Sequence, residues 1–303
     1  MRKAIYIPII IALLIAACQP TSPAGQGGKK TIVVTYAILG ALVEGVVGEQ
    51  ANVIVLIPNG QDPHEWEPSA KDIEALMKAD LIVQNGLGLE SGLEKTLSQA
   101  TSAGVKSYTA SDHITVRKVG QGEGIPNAGS DQNVGASDPH IWTDPLTMKQ
   151  VMLALADQIK TDLGMDFSAQ AHDLASQLDG LNGEITTQVD SLPEADRKLV
   201  TGHESLGYFA QRYGFKLVGA IIPNLNSQAE ISASDLAALK VLIQDSQVKA
   251  IFSEVGTPKA ISEAIGRETG VKVVALSTHI LPSDGSYFTF MRELAQTIVE
   301  NLR

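Results

Sequence analysis

The pattern that most limits how this chain can fold is an alternation of short apolar runs with helical repeats. The β-branched run "TIVVTY" (31–36) is followed by "AILGALVEGVVGE", whose apolar residues recur at helical spacing. "NVIVLIP" then precedes "SAKDIEALMKA", where Ser69 is placed to cap the helix. "LIVQNG" and "KSYTA" flank the helical "GLEKTLSQATSA". Strands this continuously apolar are covered on both faces, and strand–helix alternation lays them parallel. A second set begins near residue 197. Its strands are "RKLVTGH", "FKLVGAI", "KAIFSE" and "VKVVALS". Its helices are "SLGYFAQRYG", "SASDLAALKVLIQDS", "TPKAISEAIGRETG" and "YFTFMRELAQTIVENL". The fold class is therefore α/β, with two lobes (31–165 and 194–303), each a mainly parallel sheet flanked by helices.

One long helix over 166–193 is expected to join the lobes. Leu174, Leu178, Leu181, Ile185, Val189 and Leu192 form a single stripe at three-or-four spacing. From Ser168 to Leu192 such a helix runs roughly 37 Å at 1.5 Å per residue. That reaches along both lobes and makes a stiffer joint than loops do, although Gly180 and Gly183 weaken it. Residues 115–137, with "GQGEGIPNAGSDQNVGAS", have no apolar period and are expected to form a mobile loop.

The N-terminus is a separate object. "MRK" precedes an apolar run, "AIYIPIIIALLIAA", too short to span a bilayer. It ends in Ala16-Ala17-Cys18, which resembles the lipobox of bacterial lipoproteins. Residues 1–17 are expected to be a signal peptide, Cys18 the lipidated residue, and 18–30 ("QPTSPAGQGGKK" from 19) a flexible tether. Cys18 is the only cysteine, so no internal disulfide can form. The formal net charge of −11, with no basic run beyond the first residues, argues against a nucleic-acid partner.

Chemistry concentrates in the histidines. "QDPHEWEPS" (61–69) and "SDPHIWTDP" (137–145) each set a histidine after Asp-Pro and two residues before a tryptophan. These phrases use both tryptophans and two of only six histidines, so their likeness demands a shared purpose. His64, His203 and His279 each follow a strand, and the carboxyl ends of parallel strands form the ligand crevice. His140 closes the flexible loop. Four imidazoles, two per lobe, are thereby expected to meet at one cation. His113 lies in a loop and His172 on the polar side of the linking helix; both read as exposed and non-ligating. Glu254 ends a strand at the same crevice and is expected to accept an outer imidazole N–H. Glu65 and Asp144 either do the same or form turns and caps. Trp66 and Trp142 are expected to pack beside the imidazoles and exclude water.

Taken in order, "NGQDPHEWEPS", "ASDPHIWTDP", "VTGHESLGYFAQRYG", "IFSEVGTPK" and "STHILPSDGSYFTFM" resemble the metal-binding lipoproteins of bacterial zinc and manganese ABC transporters. The resemblance covers nearly the whole chain. It implies that His64, His140 and His203 are the first three metal ligands and that Glu254 lies near the metal. The fourth ligand of the family is usually an aspartate; His279 stands at that distance before Gly285-Ser286-Tyr287. The resemblance implies extracytoplasmic capture of a divalent ion and delivery to an ABC permease in the cytoplasmic membrane, by a lipid-anchored monomer.

Four neutral nitrogen donors favour Zn²⁺ over Mn²⁺ as the transported ion. Against zinc, residues 115–137 lack the histidine-rich stretch that many zinc members carry. A manganese- or iron-binding member is the alternative within the family. A zinc hydrolase is the alternative from another class, but it needs an open coordination position. "HEWEP" has no second histidine, and Pro68 opposes a helix there. A surface adhesin or scaffold leaves the histidines unexplained.

Overall fold

The computed structural model describes residues 28–123 and 134–303. The expected signal peptide (1–17), Cys18, most of the expected tether and residues 124–133 of the expected loop lie outside the described residues. Among the described residues no helix is long and apolar enough to cross a membrane.

The N-terminal lobe is built on β1 (Thr31–Tyr36), β2 (Asn52–Ile57), β3 (Leu81–Gln84) and β4 (Lys106–Thr109), all parallel in the order β2-β1-β3-β4. Because β1 is central, the chain leaves it in opposite directions toward β2 and toward β3. That reversal opens a crevice beyond the strands' carboxyl ends. The helices are α1 (Ala37–Val47), α2 (Ala70–Met77) and α3 (Glu94–Ser102). Ser69 does cap α2: its hydroxyl accepts from Asp72 N while Asp72 returns a bond to the Ser69 backbone.

Helix α4 (Pro145–Leu163) is an element that the alternating pattern passes over. It starts sharply because Asp144 accepts Leu146 N and Pro145 occupies the first turn, and it stops at Gly164, where φ is +71°. The linking helix α5 spans Ser168–Val189, 22 residues, one turn shorter than the stripe suggests. Leu192 is still buried, but in a turn after the helix. Gly180 and Gly183 lie on its open side.

The second lobe holds β5 (Lys198–Thr201), α6 (Gly207–Tyr213), β6 (Lys216–Ala220), α7 (Ala233–Ser246), β7 (Ala250–Ser253), α8 (Lys259–Thr269), β8 (Lys272–Ala275) and α9 (Tyr287–Leu302). Its strands are parallel but form two pairs, β5–β6 and β7–β8. β5 and β7 run side by side, and Glu254 closes the gap between their ends by accepting Gly202 N at 3.0 Å. The core divides unevenly. A small cluster around Val218, Leu239, Ile243 and Ile251 belongs to the second lobe alone. The larger cluster runs from the first sheet through α4 and α5 to α9. The last helix thus returns to pack on the linking helix, a feature with no signature in local periodicity.

Candidate metal centre

The two rhyming phrases fold alike. Asp62 Oδ1 accepts His64 N at 2.9 Å, and Asp138 Oδ1 accepts His140 N at 3.0 Å. Each aspartate closes a tight turn on the residue two positions ahead, and the intervening proline stiffens it. His64 follows β2, His203 follows β5, and His279 follows β8. All four histidines are at most 4% exposed.

Three of them converge. His140 Nε2 lies 3.3 Å from His64 Nε2 and 3.2 Å from His203 Nε2. One nitrogen from each of these residues falls within 4.8 Å of the others. His140 Nδ1 lies 2.8 Å from Asp138 Oδ1, and His203 Nδ1 lies 3.1 Å from Glu254 Oε2. The Asp138 carboxylate can only accept, so His140 Nδ1 carries the proton and His140 Nε2 presents a lone pair; His203 Nδ1 is in ion-pair contact with Glu254 but makes no hydrogen bond of good geometry. With both rings neutral and protonated at Nδ1, two lone pairs face each other at 3.2 Å. A cation among them removes that repulsion. A tetrahedral ion with Zn–N bonds of about 2.0–2.1 Å separates its nitrogens by roughly 3.3–3.4 Å, close to the spacing found.

His279 does not join this trio. Its ring stacks on His203 at 5.3 Å and lies 6.2 Å from His140. Its Nδ1 is 2.9 Å from Thr278 Oγ1, while its buried Nε2 has no partner. Thr278 Oγ1 donates to Glu254 Oε2 at 2.8 Å, and Ser205 Oγ donates to the same oxygen at 2.7 Å. Glu254 therefore holds both histidines of the second lobe, one directly and one through a hydroxyl. A hollow of about 10 Å³ touches His279 and Trp142, space for no more than about one water.

Burial, and then the neighbouring His140 and His203, hold the His64 imidazole well below its usual value. Burial, His203 and His279 do the same to His140. Burial and His203 bring His279 down to about 4. His203 departs from the rest: burial pulls it down most strongly, but Glu254, Asp62 and Glu204 together more than offset it and the net shift is upward. Burial pushes Glu254 up, yet His203, His279 and Ser205 together outweigh it and bring the carboxyl to about 2. Burial raises Asp138 to about 6 even though Arg117 works against it.

Other expectations are corrected. Asp144 touches no imidazole; it caps α4, accepts Thr147 Oγ1, and receives the Arg212 guanidinium at 2.9 and 2.7 Å. That pair ties α4 to α6, so Asp144 is spent on joining the lobes. Glu65 is exposed, its carboxylate lying near Gly256, with no hydrogen bond to an imidazole. Trp142 stands 5.3 Å from both His140 and His279, and its Nε1 donates to Thr278 O at 2.8 Å. Trp66 instead packs, half-buried, against the larger core. The rhyme thus holds for the histidines and fails for the tryptophans. His113 and His172 are exposed and outside the cluster; His113 stacks on Tyr108.

Asp62 and Asp138 hold the histidine turns, and the signal for them is the repeated Asp-Pro-His spacing. Arg117 and Glu204 carry no such signal. Arg117 pairs with Asp138 at 3.1 Å and with Glu123. Glu204 is buried with one oxygen unpartnered; burial, with Asp138 and Glu123 nearby, pushes it up to about 8, so it is protonated at neutral pH.

This fold has known counterparts. The family model for zinc-uptake complex component A, periplasmic (ZnuA) matches residues 32–301. The manganese-binding lipoprotein MntA of Halalkalibacterium halodurans is 29% identical over 309 residues, covering 98% of this chain and 97% of that protein. The high-affinity zinc uptake system protein ZnuA of Bacillus subtilis is 30% identical over 278 residues, covering 88% and 85%. The solved structure of the periplasmic zinc-binding protein TroA from Treponema pallidum superposes with a TM-score of 0.77 at 26% identity, covering 91% of this chain and 99% of that one. Matched over residues 32–301, this chain belongs to the ZnuA family.

Proposed function

We propose that this protein captures a divalent transition metal, zinc in the first place, outside the cytoplasmic membrane and delivers it to an ABC permease. The observation that carries this reading is the trio of buried Nε2 atoms meeting at 3.2–3.3 Å. His64, His140 and His203 are the ligands, and His279, whose buried Nε2 has no partner, turns toward the trio to complete the shell. Asp138 and Glu254 fix the tautomers and supply negative charge against the ion. The lobe division at 31–165 and 194–303, the lipid anchor at Cys18 and a monomeric state belong to the same reading. The relatives' names divide between manganese and zinc. All-nitrogen donors favour zinc. A hydrolase is disfavoured because the enclosed histidines leave no room for a substrate beside a metal-bound water.

The test is metal exchange on the stripped protein. Zinc displaces manganese added at equal concentration, measured by calorimetric competition. Manganese retained under those conditions overturns the choice of metal, and no binding of either overturns the function.

The pH dependence has a defined sign. Imidazole binds metal only when neutral. At pH 6, four ordinary imidazoles with pKa about 6.5 hold about three protons between them, all of which binding must expel. Here His64, His140 and His279 are already neutral at that pH, and only His203 has its value raised. About one proton is released per zinc at pH 6, and affinity falls about tenfold per pH unit between 6.5 and 5. Calorimetry in two buffers of different ionisation heat counts the protons; a count near three contradicts the assignment.

A further inference from the structure

Asn85 and Glu90 are buried where β3 ends, and neither touches a histidine side chain. Glu90 Oε1 accepts Thr35 Oγ1 at 2.7 Å and Asn85 N at 2.7 Å, and Oε2 accepts Gly86 N at 3.3 Å. The carboxylate clamps the end of β1 to the end of β3. From that clamp the Asn85 side chain reaches outward. Its Oδ1 accepts Tyr36 Oη at 3.0 Å, and its Nδ2 donates to Pro139 O at 2.9 Å and to Gly86 O at 3.1 Å. Both carbonyls can only accept, so the amide nitrogen must face them.

Pro139 O and His140 N are the two poles of one planar peptide unit. Asp138 holds the N–H pole, and the carbonyl pole is held by the Asn85 side chain at 2.9 Å together with the Ile141 backbone N–H at 2.9 Å. A planar unit pinned at both ends cannot rotate about the chain, and its orientation sets the direction in which the His140 side chain leaves the backbone. His64 has the corresponding bond from Asp62 to its N–H. No hydrogen bond to Pro63 O occurs among the described residues. The extra constraint falls on the histidine whose Nε2 is central to the trio.

We propose that Asn85 is a positioning residue for the metal centre: it fixes the Pro139–His140 peptide so that His140 meets the other two imidazoles, and Glu90 holds Asn85 in turn. This rests on the reading of His140 as a ligand. The Asn85→Asp variant keeps an acceptor for Tyr36 but sets an oxygen against Pro139 O. Zn²⁺ affinity is measured by competition with a chelating dye, and Co²⁺ absorption bands report the geometry of the bound ligands. The thermal midpoint of the metal-free protein separates stability from binding. Leu174→Ala, in α5 and away from the histidines, is the control for destabilisation alone.

The expected result for Asn85→Asp is a loss of about 10–100-fold in zinc affinity, with displaced cobalt bands. Leu174→Ala lowers the midpoint and leaves both readings near those of the unaltered protein. Should Asn85→Asp fail to fold, Asn85→Ala removes the same donor without adding charge, and the same outcome is expected. Unchanged affinity and cobalt bands in the folded variant overturn the proposal, as does an equal loss in Leu174→Ala. His140→Ala distinguishes the two levels: if it loses zinc while the Asn85 variants do not, only the positioning role fails. If His140→Ala binds normally, the ligand assignment beneath it fails.

Discussion

Replacing His140 with alanine lowers zinc affinity by about two to three orders of magnitude. Four-ligand zinc sites are worth roughly 10–16 kcal/mol, or about 2.5–4 kcal/mol per ligand if shared evenly. At 1.4 kcal/mol per tenfold, one ligand carries about two to three orders of magnitude. His140 stands at the upper end because it is the link: its Nε2 is within 3.3 Å of His64 on one side and 3.2 Å of His203 on the other. His172→Ala removes an exposed imidazole from α5 and leaves the affinity unchanged. Both are read by dye competition at fixed pH. Tight zinc binding that survives the loss of His140 ends the argument for a shared centre.

Replacing Asp138 with alanine damages both the fold and the site. Its carboxylate receives His140 N, His140 Nδ1 and the Arg117 guanidinium. Arg117 and Asp138 are buried. Removing one member of a buried pair leaves an uncompensated charge and costs about 3–5 kcal/mol; Glu123, still beside Arg117, places the loss at the lower end. Without the acceptor at Nδ1, His140 loses its preference for the tautomer with a bare Nε2. Losing such an outer partner costs a further 10–100-fold in affinity. Asp138→Asn separates the two effects. It keeps the shape, but its NH2 group must face either the imidazole or Arg117, and each choice breaks one contact. Urea unfolding of the metal-free protein measures the first effect and zinc competition the second. A variant at position 138 with both quantities unaltered contradicts the role given to that carboxylate.

The contrast between Asp138 and Asp144 shows where reading the sequence stops working. Both flank the same histidine, both precede proline, and nothing in the local pattern ranks them. The difference arises because α6 brings Arg212 to Asp144, while the strand-like segment at 117 brings Arg117 to Asp138. The tryptophans divide in the same way. Trp142 is drawn to the imidazoles by a hydrogen bond to Thr278, 136 residues away, and Trp66 is left to the core. Glu254 was legible because it ends a strand, and strand ends face the crevice whatever the rest of the chain does.

By itself the sequence determined the α/β alternation, the parallel strands and the linking helix. It also determined that histidines stand at the ends of β2, β5 and β8 and in a second copy of the β2 turn. These follow from residue spacing, because periodicity and turn chemistry act over a few residues. Only the tertiary structure decided that α9 returns to the larger core, that three imidazoles meet while the fourth stacks aside, and which carboxylate serves which ring. Those outcomes depend on contacts between residues 50 to more than 200 positions apart. Such contacts are set by how the two lobes pack, which no local pattern encodes.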